Sequence, residues 1–226
     1  EKCLLRFQMD YPEWRIFYKE ILMDFGFSKA ADIESAIILN DLVEPLSLKF
    51  IEEKLTNKKI IVYGSGNTLE NVKNFPNSVK ISANGATTYL LKMGVVPDLI
   101  VTDLDGRMKD LYKANKLGSI MVIHAHGDNI DKIKTCTNKF TNIIPTCQCK
   151  PIGNLQNFGG FTDGDRAVFL AAHFNPKNII LFGMDFRSVG KYSFSKDTPI
   201  KRKKLEWGKK LVNYLEKKGE VKIIVG

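Results

Sequence analysis

The sequence contains no apolar run as long as a membrane-spanning helix, which needs about 20 residues. Its longest apolar runs, at positions 98–102 and 178–182, have the length of a β-strand. Residues 1–10 are polar and irregular, so we expect no secretion signal within them. These absences predict a cytoplasmic protein without a membrane partner.

Cysteine is scarce and irregularly spaced. The chain has four, at Cys3, Cys136, Cys147 and Cys149. They form neither the dense framework of a small secreted protein nor the CxxC pairs of a zinc site, and the one-residue gap between Cys147 and Cys149 suits zinc poorly. We therefore expect reduced thiols, which agrees with a cytoplasmic location.

Signatures of nucleic-acid binding are also absent, although the chain is basic. Lys and Arg number 34 against 25 Asp and Glu, a net charge of +9. No RNP, zinc-finger or helix-turn-helix motif occurs. Basic residues are concentrated at positions 201–204 and 209–210, within one helical pattern, whereas acidic residues cluster between the predicted strands. This distribution favours a polyanionic small ligand bound with a divalent metal, and we expect no nucleic-acid partner.

The chain does contain enough apolar residues for a core and a clear alternation of patterns. At 226 residues, 44% of them hydrophobic, it can form one large domain or one domain with an appendage. Residues 12–55 have helical periodicity, with Trp14, Phe17 and Ile21 on one face. From Lys58 onward, short β-branched runs alternate with helical stretches. The runs occupy residues 59–63, 79–82, 98–102, 119–123, 141–144, 178–182 and 221–225.

This alternation predicts an α/β fold, a doubly wound and mostly parallel Rossmann-like sheet with a helical N-terminal appendage. Most runs are apolar throughout, as strands are when helices cover both faces of a parallel sheet. We therefore divide the chain into a helical N-terminal segment, residues 1–57, and an α/β nucleotide-binding catalytic domain, residues 58–226. The apolar stripe of the N-terminal helices could cap the sheet or make a dimer contact. Ligands of such sheets bind at the carboxyl ends of the strands.

Polar and glycine residues do follow the predicted strands. After the first strand, Gly64, Ser65, Gly66 and Asn67 could offer backbone N–H groups to a phosphate. The alternative is a tight turn, because the segment lacks the third glycine of a dinucleotide fingerprint and the lysine of a P-loop. Other strand ends carry similar segments, at residues 83–86, 102–106, 124–129 and 183–186.

The sharpest motif is the aspartate pair Asp103 and Asp105 after the third strand. Two carboxylates one residue apart at a strand end can both reach one Mg²⁺ ion that also carries phosphate and water ligands. The alternative is that Asp105 is a helix N-cap and Asp103 lies in a turn. In that case no cation would offset the repulsion between the two carboxylates. The pair therefore predicts a divalent-metal site.

A second acidic cluster lies in residues 159–166, with the sequence GGFTDGDR. Thr162, Asp163 and Asp165 fall at the N-cap or first turn of a predicted helix, and Arg166 follows them. Acidic residues there suit the helix dipole, but the dipole does not explain so dense a cluster behind two glycines. Asp163, Asp165 and Arg166 are therefore candidates for catalysis.

The segment after the fourth strand holds His124, His126 and Asp128. Two histidines and a carboxylate could bind a metal or act as acid and base. The alternative is that the histidines, like most loop histidines, form structural hydrogen bonds. Asp128 is retained as a candidate catalytic carboxylate.

Taken in order, these motifs resemble a known family. Residues 84–86 (NGA) followed by residues 97–106 (PDLIVTDLDG) resemble the nucleotide-binding core of thiamin pyrophosphokinases. The ordered set over residues 58–186 more closely resembles the archaeal 6-hydroxymethyl-7,8-dihydropterin pyrophosphokinases. After Phe186 a loop, a basic helix and a last strand stand where thiamin pyrophosphokinases carry a β-sandwich, and this departure disfavours thiamin as the acceptor.

The resemblance implies a cytoplasmic, magnesium-dependent transferase of methanopterin- or folate-type pterin biosynthesis. It would transfer diphosphate from ATP to the pterin hydroxymethyl group and release AMP. Asp103 and Asp105 would bind Mg²⁺, and Asp185 with Phe186 is the predicted slot for the pterin ring. The residues expected to hold ATP are Gly64, Ser65, Gly66, Asn67, Asn84, Gly85 and Thr162.

The resemblance also suggests catalytic roles for the remaining acidic residues. Asp128, Asp163 and Asp165 are candidates for a second metal site, or one of them for the base that takes the hydroxyl proton. Arg166, or alternatively a cation from Lys201 to Lys204, could offset the charge that develops on the bridging oxygen. The oligomeric state is open, with a homo-oligomer as one outcome.

Two other functions remain open at this stage. A nucleotide-sugar-dependent glycosyltransferase also combines a Gly-rich first turn with a DxD metal pair, but its product would be UDP or CMP. A nucleotide-sensing or RNA-binding module would use the positive charge without chemistry. The pterin pyrophosphokinase is preferred because five motifs occur together in the family's order.

Overall fold

The structure is a computed structural model that describes residues 9–218 and 222–226. Cys3 and Val221, both named above, lie outside these ranges. Cys136, Cys147 and Cys149 are free cysteines. Within the described ranges, no helix has both the length and the apolar character that crossing a membrane requires.

Three helices form the N-terminal part of the chain, as their periodicity predicts. The first begins after Asp10, whose carboxylate caps it by accepting from Glu13 N at 2.8 Å, and it ends at Gly26 in the left-handed conformation. Its buried face carries Trp14 and Tyr18. The three helices are α1 (Tyr11–Phe25), α2 (Lys29–Leu42) and α3 (Leu48–Leu55).

The described chain then builds a seven-stranded parallel sheet with the order β5-β4-β3-β2-β1-β6-β7. Each strand coincides at least in part with one predicted run, and the predicted α/β class is confirmed. The strands are β1 (Lys59–Tyr63), β2 (Val79–Ala83), β3 (Leu99–Thr102), β4 (Ile120–Ala125), β5 (Ile143–Cys147), β6 (Asn178–Phe182) and β7 (Ile223–Val225).

Two strands differ from their predicted bounds at the carboxyl edge. β4 continues through His124, which the sequence pattern placed in the following loop and which is 3% exposed in the structure. β5 begins later than predicted and continues through Pro145 to Cys147. β5 lies at the edge of the sheet, and an edge strand tolerates a proline that would remove a ladder hydrogen bond from a central strand.

Helices cover the sheet, and successive strand residues join different cores. Ile60 and Val62 belong to one core cluster, whereas Ile61 and Tyr63 belong to another. α7 packs on β1, β2, β3 and β6, while α2 of the N-terminal segment packs on β4 and β5. The division of the chain at residue 57 stays a prediction. The helices of this part are α4 (Ala86–Lys92), α5 (Met108–Lys116), α6 (Ile130–Cys136), α7 (Asp163–His173) and α8 (Pro199–Lys218).

The basic helix α8 lies against α1, and carboxylates of α1 pair with its lysines. Lys210 Nζ lies 2.7 Å from Glu20 Oε2, and Lys203 Nζ lies 3.3 Å from Asp24 Oδ1. Trp207 Nε1 also donates to Asp24 Oδ2 at 2.7 Å. Carboxylates of α1 therefore neutralise part of the positive charge that could otherwise suggest nucleic-acid binding.

The strand order reverses between β1 and β6, and the loops after these strands meet there. Gly64 N donates to Phe182 O at 2.8 Å, and Gly66 N donates to Gly183 O at 2.7 Å. Gly183 has a φ of 67°, and a Cβ at this position would collide with Gly64 O and lie 2.8 Å from Leu69 Cβ. In open α/β sheets such a reversal point forms the crevice for a ligand.

We expect Gly183→Ala to lower the free energy of unfolding by roughly 3 kcal/mol, because it adds a steric collision to the cost of a left-handed alanine. Gly94 is the matched control, with a φ of 75° and nothing within 4 Å of a built Cβ. Gly94→Ala should cost only about 1 kcal/mol. Thermal unfolding of the two variants checks this, and equal losses would contradict the close approach of the two loops.

Candidate active site

A cleft opens at the carboxyl edge of the sheet, with a volume of about 1310 Å³ including space open to solvent. Segments that follow β1 to β6 line it, together with the α1–α2 connection and the starts of α7 and α8. Among the sequence-predicted site residues, Asn67, Asp165 and Asp185 do not line the cleft. Those that do are Gly64, Ser65, Gly66, Asn84, Gly85, Asp103, Asp105, Asp128, Thr162, Asp163, Arg166 and Phe186.

Three carboxylates meet in this cleft. Asp103 and Asp105 follow β3, and Asp163 is the first residue of α7. One oxygen from each lies within 4.8 Å of one oxygen from each of the others, an arrangement that could hold a metal ion. The aspartate pair from the sequence thus gains a third carboxylate that lies about 60 positions away along the chain. Clustered carboxylate oxygens are the ligands that Mg²⁺ and Ca²⁺ prefer.

The turn after β3 is shaped by unusual backbone and by an asparagine. Leu104 has a φ of 67°, and its N–H donates to Thr102 Oγ1 at 2.9 Å. The Asn84 side chain accepts from Thr102 Oγ1 at 2.9 Å and donates to Asp105 and, at 3.5 Å, to Asp103. Its own φ is 43°, which is uncommon for a residue other than glycine. Asn84 therefore holds both carboxylates of the pair in place.

The three carboxylates differ in proton affinity. Burial and the charge of Asp103 raise the pKa of Asp105 to about 6, although the Asp105 side chain reaches solvent at the cleft mouth. Burial, followed by the charge of Asp103, raises the pKa of Asp163 well above its usual range. Burial opposes ionisation of Asp103 too, but hydrogen bonds with His126 and Asp105 outweigh it and lower its pKa. The cluster cannot carry three negative charges cheaply without a cation.

Basic side chains line the same cleft. Arg166 Nη1 lies 3.2 Å from Asp163 Oδ1, and Arg166 Nη2 donates to Gln148 Oε1 at 3.4 Å. Lys201 and Lys204 line the cleft from α8. Burial, followed by the charges of Arg166 and Lys201, lowers the pKa of Lys204. The mutual repulsion of these cations favours a polyanionic ligand in the cleft that they line.

Asp165 has a structural position in this arrangement. It is fully buried, and its carboxylate accepts from Phe161 N at 2.5 Å, from Thr162 N at 2.9 Å and from the Thr162 hydroxyl. The Thr162 side chain and the Asp165 side chain form a reciprocal capping box at the start of α7. Asp165 therefore fixes the helix start that presents Asp163 and Arg166 to the cleft.

The predicted pterin slot at Asp185 and Phe186 is only partly open to the cleft. The Asp185 carboxylate accepts from Arg187 N at 3.0 Å and from Ser188 N at 3.2 Å, which closes the turn after β6. Phe186 lines the cleft, and its φ is 53°. Asn67 donates to Ser188 Oγ at 2.9 Å and so ties the β1 loop to this turn.

The histidines differ from each other in role. His124 Nδ1 lies 3.0 Å from Thr146 Oγ1 inside the sheet, and burial lowers its pKa well below the usual range. His126 Nε2 lies 3.4 Å from Asp103 Oδ2 and lines the cleft. Asp128 follows His126 in an exposed turn that also lines the cleft. His126 thus contacts the carboxylate cluster, whereas the His124 ring is buried inside the sheet against Thr146.

The N-terminal segment supplies cleft residues that sequence reasoning missed. Asp32 on α2 is 2% exposed and accepts from Gly127 N and from Gln148 Nε2, both at 2.8 Å. Phe27 lies just before α2 and also lines the cleft. One signal was available, because Asp32 falls in the same buried stripe of α2 as Ala36 at helical spacing.

The chain is similar to known proteins over nearly its whole length. A family model described as "6-hydroxymethylpterin diphosphokinase MptE-like" matches residues 36–190. A curated "6-hydroxymethyl-7,8-dihydropterin pyrophosphokinase" from Methanocaldococcus jannaschii is 41% identical, covering 96% of this chain and 100% of its own. A protein of the same name from Methanothermobacter thermautotrophicus is 44% identical, covering 95% of this chain and 99% of its own.

Among solved structures, the MAf glycosyltransferase from Magnetospirillum magneticum AMB-1 matches with a TM-score of 0.49 and 15% identity. The match covers 84% of this chain and 33% of that one. A likeness this distant does not bear on activity, so the glycosyltransferase alternative gains no support from it.

The fold defines an α/β protein whose cleft lies at the carboxyl edge of a parallel sheet, where sheets of this kind bind ligands. The chain belongs to the 6-hydroxymethylpterin diphosphokinase MptE-like family. The pyrophosphokinase expected from the ordered motifs is confirmed, and with it a transferase of pterin biosynthesis.

The raised pKa of Asp105 predicts how metal-free stability depends on pH. A carboxyl group usually titrates near 3.9, so between pH 4 and about 6 the folded state keeps a proton that the unfolded state has lost. This contribution to stability therefore falls as the pH rises through that window. Asp105→Asn should remove the part of the fall that Asp105 contributes, while the raised pKa of Asp163 maintains another part. Above pH 6 the variant should be more stable than the parent by about 1 kcal/mol after solvent screening, or roughly 2–4 °C.

Thermal unfolding in EDTA from pH 4 to 8 measures this difference. Mg²⁺ added at pH 7 should raise the midpoint of the parent protein and have little effect on Asp105→Asn. A difference between the two proteins that is independent of pH would show that Asp105 ionises normally in the fold.

Proposed function

We propose that the protein transfers the terminal diphosphate of ATP to the hydroxymethyl oxygen of 6-hydroxymethyl-7,8-dihydropterin and releases AMP. The new bond joins that oxygen to the β-phosphorus, and the bond from the β-phosphorus to the α–β bridging oxygen breaks. The hydroxyl proton leaves to a base. The observation that carries the proposal is the carboxylate cluster facing Arg166, Lys201 and Lys204 in one cleft of a chain from this family.

Asp103, Asp105 and Asp163 would hold Mg²⁺. The fit rests on their oxygens lying within 4.8 Å of one another and on the raised pKa values of Asp105 and Asp163, which a bound cation would lower. Bound there, Mg²⁺ would neutralise charge on the transferred phosphate oxygens. Asn84 keeps the first two carboxylates oriented toward that position.

The phosphates of ATP would bind between the glycine loop and the cations. Gly64, Ser65 and Gly66 line the cleft at the point where the strand order reverses. Gly64 N and Gly66 N already donate to Phe182 O and Gly183 O, so the N–H of Ser65 would be the one of the three that bonds a phosphate. Gly85 also lines the cleft, and a Cβ there would collide with Tyr192 O. Arg166 and Lys201 would then neutralise the phosphate charge, including the charge that develops on the leaving AMP.

We assign the base to Asp128 among the three candidate carboxylates. Asp163 belongs to the carboxylate cluster, and both oxygens of Asp165 are used in capping α7. Asp128 lines the cleft outside the cluster, beside His126, which contacts Asp103. It can therefore take a proton without giving up a metal ligand.

The reaction is tested by incubating the purified protein with Mg-ATP and the pterin and then separating the nucleotides. We expect AMP and the pterin diphosphate in equal amounts, and neither in EDTA. Asp103→Asn should lower the rate by at least about 100-fold, because it removes a charged metal ligand. Asp131→Asn, an exposed carboxylate on α6, is the control and should keep the parent rate.

ADP or unchanged ATP in this assay would overturn the pyrophosphokinase assignment for this chain. A screen of nucleotide sugars would then follow, with UDP or CMP as the product that identifies a glycosyltransferase. The cytoplasmic location and the lack of a nucleic-acid partner are retained as proposals. The free thiols support the first, and the pairing of α8 lysines with α1 carboxylates supports the second.

The base assignment predicts opposite effects for two aspartates. Asp128→Asn should lower kcat about 100- to 10,000-fold, with the KM for ATP and the unfolding midpoint unchanged. Asp165→Asn should instead lower the free energy of unfolding by roughly 1–2 kcal/mol, because it weakens the cap of α7. Steady-state kinetics and thermal unfolding of both variants measure this, and a normal kcat for Asp128→Asn would exclude it as the base.

A further inference from the structure

We propose that the pterin ring binds at the end of the cleft formed by β4, β5 and the N-terminal helices, against Phe27 and Phe161 and beside Asp32 and Gln148. This inference rests on the proposed function and assigns its acceptor subsite. It replaces the slot at Asp185 and Phe186 that the sequence suggested.

The order of the strands supports this end of the cleft. The glycine loop at residues 64–66 follows β1, the pair Asp103 and Asp105 follows β3, and Gln148 follows β5 at the far edge. In phosphoryl transfer the attacking and leaving oxygens lie roughly in line, on opposite sides of the phosphorus. If AMP leaves toward the glycine loop, the hydroxymethyl oxygen must approach from the β4–β5 side of the carboxylate cluster.

Aromatic side chains form one wall of this end. The rings of Phe27 and Phe161 lie 6.3 Å apart and tilted by 47°, and both residues line the cleft. Phe25 stacks on Phe27 from behind at 5.2 Å. Lys204 Nζ lies 5.3 Å from the Phe27 ring and 5.8 Å from the Phe161 ring. A flat, electron-rich heterocycle suits a wall of aromatic faces beside a cation.

Buried polar groups lie beside the aromatic wall. Asp32 is 2% and Gln148 3% exposed, and both line the cleft. Three donors, Gly127 N, Gln148 Nε2 and the Tyr18 hydroxyl, already bond the Asp32 carboxylate, and Arg166 bonds Gln148 Oε1. One acceptor position of the carboxylate and one N–H of the Gln148 amide are left for the amino and lactam edge of a pterin. Arg166 is 7% exposed, and no described residue accepts from its Nε, so a buried donor is left for a ligand.

The rival slot offers less to a pterin. The Asp185 carboxylate closes the turn after β6 by accepting from Arg187 N and Ser188 N and, unlike Asp32, does not line the cleft. Phe186 lines the cleft close to α8, where its Cε1 lies 3.2 Å from a Cβ built on Gly208. The apolar surface there fits the adenosine part of ATP better than a ring that needs a carboxylate partner.

The test compares the two phenylalanines by steady-state kinetics with both substrates varied. Phe27→Ala should raise the KM for the pterin about tenfold and leave the KM for ATP within about twofold, since one aromatic face contributes roughly 1.4 kcal/mol. Phe186→Ala should leave the pterin KM within the same twofold range. The reverse pattern would overturn the subsite.

A second pair of variants separates recognition from folding. Asp32→Asn should raise the pterin KM about tenfold or more and leave the affinity for ATP, measured by calorimetry without pterin, unchanged. Tyr18→Phe is its control, because the Tyr18 hydroxyl also donates to Asp32, at 2.5 Å, but from the core. It should keep both KM values. Equal effects of the two variants would assign Asp32 a structural role only.

The outcomes for subsite and function are distinguishable. Formation of AMP and pterin diphosphate by the parent protein tests the reaction alone. If the parent is active but Phe27→Ala and Asp32→Asn leave the pterin KM unchanged, the subsite is wrong and the reaction stands.

Discussion

Three carboxylates that repel one another hold the central position in this structure, because much of the surrounding fold keeps them together. Asp103 and Asp105 lie side by side because Leu104 adopts a left-handed backbone and Asn84 bonds both side chains. Asp163 reaches them from the start of α7, which the capping box of Thr162 and Asp165 fixes in place. Repulsion of this kind costs stability unless a cation or a proton relieves it. Burial, followed by the charge of Asp103, raises the pKa values of Asp105 and Asp163, so both groups resist ionisation as long as no cation lies beside them.

The N-terminal helices belong to this site as much as the sheet does. α2 packs on β4 and β5, and its buried Asp32 bonds both the turn after β4, through Gly127, and the residue after β5, Gln148. Gln148 in turn accepts from Arg166, which pairs with Asp163. A chain of hydrogen bonds therefore runs from the first helices to the carboxylate cluster. α1 has a separate effect, since its carboxylates pair with lysines of α8, while Lys201 and Lys204 of α8 line the cleft.

The fold class could be read from the sequence because parallel strands covered on both faces must be apolar throughout, and such runs are visible locally. The bounds of β4 and β5 were harder to predict from the sequence. A proline usually ends a predicted strand, so the sequence pattern ended this one before Pro145. β5 continues through Pro145 because it is an edge strand, where a proline is tolerated. His124 looks like a polar loop residue, yet Thr146 on the neighbouring strand satisfies its ring nitrogen inside the sheet. Both facts depend on neighbours that are distant in sequence.

The sequence by itself determined the seven strands, the aspartate pair and, through motifs in a set order, the family. These features are local, so a short stretch of chain carries each of them in full. Only the tertiary structure decided which carboxylate joins the pair, which one caps a helix and which residues of the first helices reach the cleft. Asp163 and Asp165 are two positions apart and look equivalent in the sequence, but one faces the cleft and the other its own backbone. The physical reason is that a helix start turns successive side chains in different directions, and only packing fixes which direction points at the ligand.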